Sequence, residues 1–381
     1  MVLPVREFSA AGYRSLQRIH YPMSRLDVFV GANGVGKSNL YRALELLRAA
    51  AANTLGEQLA RESLDLAMWA GPRKGGGPRL IRLTAGFSEP DRLETACRYE
   101  IEVGYPPPGA PVLGFEPQIK TEILTYISGQ RRVRLMDRNG PSVMVRDPDG
   151  RAVEVDVDLL ASETALSQVQ DPSRYPVLDL VRRTLLAWRF YHDLRTDPDA
   201  PMRKPCIAVA APTLASDGAN LAAVFGTLAS IRQDTIDLDR MIDRAFPGVT
   251  LEMASDGRRD VNFALQYPEF PHRQFEASEL SDGTLRFLGL AGALMAYRLP
   301  PFVALNEPES SLHPDLMKPL AEMIVQAAER TQVWLVTHSQ RLAKAIEDTG
   351  AGAVRTVVKR DGATTIEGLT LLGTFRDDEE D

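Results

Sequence analysis

Residues 31–39, "GANGVGKSN", have the composition and spacing of a loop that binds phosphate groups. They fit the pattern G-x-x-x-x-G-K-[ST] at Gly31, Gly36, Lys37 and Ser38. Glycines let backbone N–H groups approach phosphate oxygens closely, the lysine reaches the β- and γ-phosphates, and the serine hydroxyl is a ligand for Mg²⁺. The pattern therefore predicts a site for ATP and Mg²⁺. Three further residues of the loop are expected to line it: Asn33, Gly34 and Asn39.

A second group of polar residues follows two short apolar runs. Asn306 and Glu307 come directly after "PFVAL", and His338 comes after "VWLVT". Parallel strands end at one edge of a sheet, so we expect these side chains near the phosphates. A glutamate there can polarise an attacking water, and an imidazole can hydrogen-bond either the γ-phosphate or that water. Glu307 and His338 are therefore the predicted catalytic residues.

Asn306 stands where nucleotide hydrolases usually carry a carboxylate that organises the metal. Its amide oxygen can accept a hydrogen bond from a metal-bound water but brings no charge, so Mg²⁺ should be held more weakly. Glu309 supplies another carboxylate nearby. These residues predict a slow ATPase, which releases ADP and phosphate, and a nucleotide sensor without turnover is the alternative.

A third candidate site is the stretch "ELSDGTLRF", residues 279–287. Ser281 and Gly283 are expected to open a helix, and the N-terminus of a helix favours anions because its N–H groups and its dipole point outward. One ATP molecule does not need two such cradles within one chain.

The elements around these motifs follow from the apolar pattern. "LDVFV" predicts a strand before the phosphate loop, and Leu40, Ala43, Leu44 and Leu47 define one face of a helix after it. The runs "PFVAL" and "VWLVTH", separated by a helical pattern over 313–329, predict a βαβ unit.

The middle of the chain has a different pattern. Residues 78–160 alternate β-favouring runs with turn sequences, which predicts an antiparallel sheet inserted after the first helix. Residues 172–245 are mostly helical in pattern, with Ser216 or Asp217 as a candidate N-cap. We predict five segments: an N-terminal part of the nucleotide-binding core (1–77), an inserted β-rich subdomain (78–165), a largely helical lobe (166–274), a C-terminal part of the core (275–373) and an acidic tail (374–381).

Composition excludes several classes of protein. A chain of 381 residues with 44% apolar residues can bury a substantial core. The net charge of −7 argues against coating nucleic acid through bulk charge, although a local basic patch is compatible with it. The two cysteines, Cys97 and Cys206, lack the spacing of a zinc site or a disulfide framework. Without a long apolar run or a secretory signal pattern, we expect a cytoplasmic protein with no membrane contact.

These segments, in this order, resemble the ABC-type ATPase heads of the SMC, RecF and OLD proteins, and most closely the compact ATPases of that branch often labelled AAA-family. "GYRSL" at 12–16 resembles the N-terminal F-[RK]-S element, "LSDGT" the signature, "NEPESSLHP" the Walker B motif and D-loop, and "VTHS" the switch histidine. The match covers roughly residues 1–50 and 275–345, while the middle is only loosely similar.

The resemblance implies an α/β P-loop NTPase fold, with a mixed or parallel core sheet, an inserted antiparallel β-subdomain and a helical lobe. It also implies a homodimer with ATP between its subunits. Ser281 and Gly283 would then contact the γ-phosphate held by the other subunit, and residues 310–314 would line the seam, toward which Glu309 could point after Pro308. By the same resemblance, the following contacts are expected: Arg14 to a phosphate, and Ser38, Asn306 and the glutamine Gln168 to the metal or its water.

Three functions are compatible with this sequence. The first is an ATP-gated dimer that acts on duplex DNA in repair or phage defence. The second is a nucleotide-dependent scaffold that controls a separate effector protein. The third, the motor of a membrane transporter, is the least supported, because such motors carry an "LSGGQ"-like signature and a clear glutamine loop.

The best local evidence for DNA binding is "RRVRLMDR", where Arg132 and Arg134 share one strand face while Val133 and Leu135 share the other. A solvated strand face explains this pattern equally well. The sequence shows no nuclease motif, so DNA cleavage is not expected, and no feature decides between the DNA-acting dimer and the scaffold.

Overall fold

The computed structural model describes residues 3–72, 79–89, 96–107, 114–155, 158–192, 194–232, 236–255 and 259–375. The chain forms two compact units. Unit 1 contains Met1–Ser24, Gly31–Trp188 and Arg355–Asp381, and unit 2 contains Arg25–Val30 and Arg189–Val354. Most of the predicted acidic tail lies outside the described residues, and the five-segment division stays a prediction. No helix in the described ranges has both the length and the apolar character needed to cross a bilayer.

Unit 1 contains an antiparallel sheet of eight strands in the order β2-β1-β4-β5-β6-β7-β8-β9. Strands and helices are numbered along the chain. The strands of this sheet are β1 (Val5–Tyr13), β2 (Leu16–Pro22), β4 (Leu80–Phe87), β5 (Cys97–Gly104), β6 (Gln118–Ser128), β7 (Arg131–Asn139), β8 (Ser142–Arg146) and β9 (Ala152–Glu154). The predicted antiparallel strands are therefore present. Their sheet also includes the N-terminal hairpin, because β1 pairs with β4 as well as β2.

Among its described residues, unit 1 also contains five α-helices and a hairpin. The helices are α1 (Lys37–Ala51), α2 (Leu55–Glu62), α3 (Leu64–Ala67), α4 (Ala165–Gln168) and α5 (Pro176–Ala187). The predicted face of α1 is confirmed, since Leu40, Ala43, Leu44 and Leu47 are all buried. The hairpin pairs β17 (Ala353–Arg360) with β18 (Ala363–Ile366). All of its paired residues belong to unit 1, which includes the chain from Arg355 onward.

Unit 2 contains four parallel strands in the order β10-β15-β16-β3. They are β10 (Arg189–Tyr191), β15 (Phe302–Asn306), β16 (Gln332–Thr337) and β3 (Leu26–Val30). Every residue of β3 and β16 is buried, as expected of parallel strands covered on both faces. The predicted βαβ unit is confirmed as β15, α9 (Met317–Ala328) and β16, with a 3₁₀ turn over Pro314–Leu316 before the helix.

In the part of unit 2 that the structure describes there are also a smaller antiparallel sheet and four more α-helices. In this sheet β13 (Asp260–Gln266) pairs with β11 (Cys206–Ile207), β12 (Thr250–Ser255) and β14 (Gln274–Glu276). The helices are α6 (Leu221–Thr227), α7 (Ile236–Ala245), α8 (Asp282–Met295) and α10 (Gln340–Glu347). One apolar core joins α6, α8 and α9 to the parallel strands.

The predicted N-cap at Ser216 or Asp217 is wrong. Helix α6 begins at Leu221, with Asn220 at its N-cap position. The residues before it form a turn in which Gly218 has φ +74° and the Asp217 carboxylate accepts a hydrogen bond from the Ala219 N–H at 3.1 Å. Because this left-handed residue interrupts the helical backbone, the helix begins later than the polar residues suggest.

Candidate nucleotide site

The phosphate loop lies in unit 1 and passes directly into α1. Two of its glycines, Gly34 and Gly36, have positive φ, at 78° and 98°. Gly34 has open space around it, whereas a Cβ on Gly36 would lie 1.9 Å from the Thr364 hydroxyl oxygen and 2.5 Å from that of Ser15. The loop conformation therefore requires glycine at Gly36 on two grounds, backbone angle and space.

Lys37 holds its ammonium group within the loop. Its side chain is buried, and Nζ donates hydrogen bonds to the backbone C=O of Gly31 at 2.7 Å and of Ala32 at 2.9 Å. No acidic residue lies in the first turn of α1. The positive end of the helix and the lysine ammonium thus lie in the same loop, an arrangement that favours an anion. Asn33 and Gly34 are exposed, and Ser38 and Asn39 are partly buried.

A chain of hydrogen bonds supports the loop from behind. The Asn39 amide donates to the Ser15 hydroxyl at 2.6 Å, Ser15 and Thr364 share a hydroxyl contact of 2.6 Å, and Thr364 donates to the Val35 C=O at 2.7 Å. Sequence reasoning missed Ser15 and Thr364 as loop supports. Ser15 lies inside the quoted "GYRSL", but nothing local in the sequence indicates that a threonine in β18 would contact it.

Arg14 lies beside this chain. Its backbone has φ 47°, its guanidinium pairs with the Glu62 carboxylate, and Nη1 donates to the Asn39 side-chain oxygen at 3.4 Å. The structure thus brings Arg14 next to a residue of the predicted loop. Its contact with a phosphate stays a prediction.

Gln168 lies at the end of α4 and donates a hydrogen bond to the Glu163 carboxylate at 3.3 Å. The start of α4 is held by Glu122 of β6, whose two oxygens accept the N–H groups of Ala165 at 2.6 Å and Leu166 at 2.9 Å. Burial raises the pKa of Glu122, against the effect of these two hydrogen bonds. The sensing role of Gln168 stays a prediction.

The same carboxylate joins α4 to neighbouring strands. Glu122 accepts the Tyr99 hydroxyl at 2.9 Å and lies 3.8 Å from the Arg138 guanidinium. All three side chains are buried. The position of α4 therefore depends on a buried network of polar side chains inside the eight-stranded sheet.

In unit 2, the carboxyl end of β15 carries Asn306. Its side-chain oxygen Oδ1 is buried and has no hydrogen-bond partner among the described residues. A buried acceptor without a donor is unfavourable, and a metal-bound water is a donor that would satisfy it. Asn306 therefore has an acceptor suited to a metal-bound water, and its place beside Mg²⁺ stays a prediction.

Glu307 follows in a strained turn. It has φ 48°, unusual for a residue with a side chain, its N–H donates to the Val336 C=O at 2.8 Å, and its carboxylate is partly exposed. Such strain persists only where the surroundings enforce it. Here Arg286 of α8 does so, by donating to the backbone C=O groups of Glu307 at 3.2 Å and Pro308 at 3.3 Å.

Glu309 is buried and faces the end of β16, so the structure does not place its side chain on an exposed seam. Its Oε1 accepts the Thr337 hydroxyl at 2.5 Å and the N–H groups of His338 at 3.0 Å and Ser339 at 3.1 Å. The His338 ring nitrogen Nδ1 lies 3.2 Å from the same oxygen and 3.7 Å from the Glu307 carboxylate. The structure thus brings Glu307 and His338, the two predicted catalytic residues, together. Glu309 lies beside His338, whereas the sequence resemblance predicts a side chain directed toward the seam.

The signature stretch opens α8 as predicted. Ser281 is the N-cap, and its hydroxyl accepts the Thr284 N–H at 3.1 Å. A Cβ on Gly283 would lie 2.9 Å from the Ser311 C=O, so the start of α8 packs closely on the segment that follows Glu309. Ser281 and Ser311 are exposed.

The predicted basic strand face is also exposed. Arg132 and Arg134 lie in β7 with exposed side chains, and Arg134 pairs with Asp137 at 2.5 Å. Val133 and Leu135 are partly buried.

Two of three comparisons with known proteins find similarity to this chain. Residues 250–343 match the family model described as "AAA domain, putative AbiEii toxin, Type IV TA system". A crystal structure of an SMC head bound to the C-terminal winged-helix domain of ScpA shares 15% identity and a TM-score of 0.56 over 97% of this chain and 99% of that one. An SMC head domain with an extended coiled coil from Pyrococcus furiosus, bound to the C-terminal domain of ScpA, shares 14% identity and a TM-score of 0.54 over 100% and 99%. No curated protein matches at a significant level.

These matches confirm the predicted fold class. The chain has the P-loop NTPase fold of the SMC head domains to which it is similar.

Proposed function

We propose that this protein binds ATP with Mg²⁺ and hydrolyses it slowly to ADP and phosphate. The observation that carries the proposal is the phosphate loop, in which the buried Lys37 ammonium and the start of α1 face the same loop whose Gly36 has no room for a side chain. The ABC-type head fold supports it, because heads of this class use ATP and Mg²⁺.

Each residue then has a defined role. Lys37 neutralises the β- and γ-phosphates, and Ser38 and Asn306 hold Mg²⁺ and its water. Glu307 polarises the attacking water, and His338 assists at the γ-phosphate or at that water. The metal, when bound, supplies charge that stabilises the phosphates during transfer.

We further propose that two copies pair across two ATP molecules in the cytoplasm. The start of α8 is the surface that supports this proposal, since it places the exposed N-cap Ser281 and the small residue Gly283 at the N-terminus of a helix. In such a dimer the signature of one copy completes the site of the other.

For the biological role, we propose DNA repair or phage defence, with duplex DNA as the partner. The scaffold alternative, in which nucleotide binding regulates a separate effector with little turnover, is favoured by Asn306, whose neutral amide lacks the metal-organising charge. The matched family description, a putative toxin of a type IV toxin–antitoxin system, and the ScpA-bound SMC heads are each compatible with a protein partner.

The test is ATP binding and turnover in two variants. Lys37→Ala should lose nearly all ATP binding, because it removes the charge aimed at the phosphates. Glu307→Gln should bind ATP normally, lose turnover and accumulate as a dimer in ATP and Mg²⁺. Unchanged ATP affinity in Lys37→Ala would reject the nucleotide site, and a monomeric Glu307→Gln in light scattering would reject the dimer.

The same assay separates the two biological roles. Duplex DNA should raise the wild-type turnover rate several-fold if the dimer acts on DNA. A rate that duplex DNA leaves unchanged favours the scaffold.

A further inference from the structure

The carboxylate of Glu309 has a position that the proposed function does not use. Its Oε1 collects the Thr337 hydroxyl and two backbone N–H groups, while Oε2 is buried without a partner among the described residues. A carboxylate in this state is desolvated, so a donor close to it is strongly favoured. The His338 ring nitrogen Nδ1 lies 3.2 Å from Oε1 of this carboxylate.

We propose that Glu309 is a positioning residue that fixes the protonation of the His338 ring. With Nδ1–H held toward Glu309, the neutral ring must carry its lone pair on Nε2. The proposal rests on the ATPase function and chooses between the two roles of His338. A neutral ring with a free lone pair on Nε2 accepts a hydrogen bond, so His338 acts on the attacking water, whereas donation to the γ-phosphate would require a proton on Nε2.

Other charged groups around the ring agree with this arrangement. The second carboxylate near Nδ1 is Glu307, at 3.7 Å, and it also favours a proton on that nitrogen. The Arg286 guanidinium is directed to the backbone C=O groups of Glu307 and Pro308. Both carboxylates thus lie on the Nδ1 side of the ring.

The burial of Glu309 distinguishes it from an ordinary surface pair. Its side chain is 5% exposed, whereas Asp315, which lies 3.3 Å from Nδ1 of His313, is 83% exposed. A buried carboxylate can hold a ring in one tautomer, while an exposed pair is weakened by water.

The test is the ring protonation of His338, read from imidazole ¹⁵N resonances in the full chain at alkaline pH. The chain has five histidines, so His338→Asn identifies the resonance by its disappearance. Wild type should show the Nδ1–H tautomer. An Nε2–H tautomer in wild type overturns the proposal without any variant and without any turnover measurement.

Variants then test the cause. Glu309→Met, similar in length but unable to accept a hydrogen bond, should shift His338 toward the Nε2–H tautomer and lower kcat roughly tenfold, with KM for ATP unchanged. Glu309→Gln, which keeps an acceptor oxygen, should retain most of the Nδ1–H tautomer and most of the wild-type kcat. Asp315→Asn is the control and should leave the His338 resonance and kcat at wild-type values.

An unchanged tautomer in folded Glu309→Met would show that Glu309 does not fix the ring. Should this variant fail to fold, Thr337→Val provides the comparison, since it removes one donor to Glu309 and leaves the carboxylate facing the ring. Thr337→Val should keep the Nδ1–H tautomer of His338. Loss of that tautomer would mean that packing around Glu309, and not its carboxylate, fixes the ring. A wild type without ATPase activity but with the Nδ1–H tautomer would reject the proposed function and not the position of the proton.

Discussion

Gly34 and Gly36 have similar backbone angles in different surroundings, which allows strain and crowding to be measured separately. Gly34→Ala adds a Cβ into open space at φ +78°, so we expect a loss of about 1 kcal/mol of unfolding free energy from backbone strain alone. Gly36→Ala also places a Cβ against Thr364 and Ser15, and we expect about 2–4 kcal/mol. Urea unfolding of both variants measures the difference, and equal losses would contradict the support of the loop by Ser15 and Thr364.

Asn306→Asp tests the metal position. A carboxylate in place of an unpartnered amide oxygen adds a charge-assisted hydrogen bond to metal-bound water, worth about 1.5–3 kcal/mol. We expect the Mg²⁺ concentration for half-maximal ATPase to fall, while the metal-free variant loses stability because the new charge lacks a partner. If the Mg²⁺ midpoint is unmoved or higher, Asn306 does not lie beside the metal.

At the scale of elements, Glu122 joins β6 to the short helix α4. Burial raises its pKa above 4.5, so the folded protein favours the protonated form. Its contribution to stability is then fully present below about pH 4.5 and is lost as pH rises through the folded pKa. Glu122→Gln cannot titrate, so the free energy of unfolding of wild type relative to this variant should fall as pH rises above 4.5.

Urea unfolding from about pH 4.5 to about pH 8 checks this. Glu100→Gln, a change at a partly exposed residue of the neighbouring β5, is the matched control and should run parallel to wild type. If the free energy of unfolding of wild type instead rises with pH relative to that of Glu122→Gln, the hydrogen bonds to Ala165 and Leu166 outweigh burial.

The elements that were predictable have strong local signals. Leu40, Ala43, Leu44 and Leu47 define the face of α1, and the apolar run ending at Asn306 defines β15. Other features depend on contacts between distant parts of the chain. The pairing of β1 with β4 and the contact of Ser15 with Thr364 are examples, and no short window of sequence contains both partners.

The site was predictable to a similar degree. The motif identifies Lys37 because phosphate chemistry requires that residue type at that spacing. Glu309 was harder, because whether a carboxylate after a proline points outward or inward depends on donors from another strand, the Thr337 hydroxyl and the His338 N–H.

At the scale of the whole molecule, Ser281→Arg tests whether two copies complete each other's sites. The exposed N-cap tolerates substitution at a cost of about 1 kcal/mol, so the monomer should fold and bind ATP normally. A bulky cation at the start of α8 should block the partner copy and abolish both dimerisation and turnover. Light scattering in the Glu307→Gln background and ATPase assays in the wild-type background measure these effects.

Ser281→Ala is the matched control, since it loses the same cap without adding bulk, and it should still form the dimer. Wild-type turnover in Ser281→Arg would mean that one chain contains the complete site.

The assignment of β3 to unit 2 has a consequence for synthesis on the ribosome. Leu26 pairs with Val333, so this strand is made about 300 residues before its β16 partner. At about 5–20 residues per second, translation leaves "LDVFV" without β16 for roughly 15–60 s. A strand with four apolar residues out of five is prone to aggregate during such a delay. Chains truncated before β16 should therefore collect in inclusion bodies or on chaperones, even though they contain the whole phosphate loop.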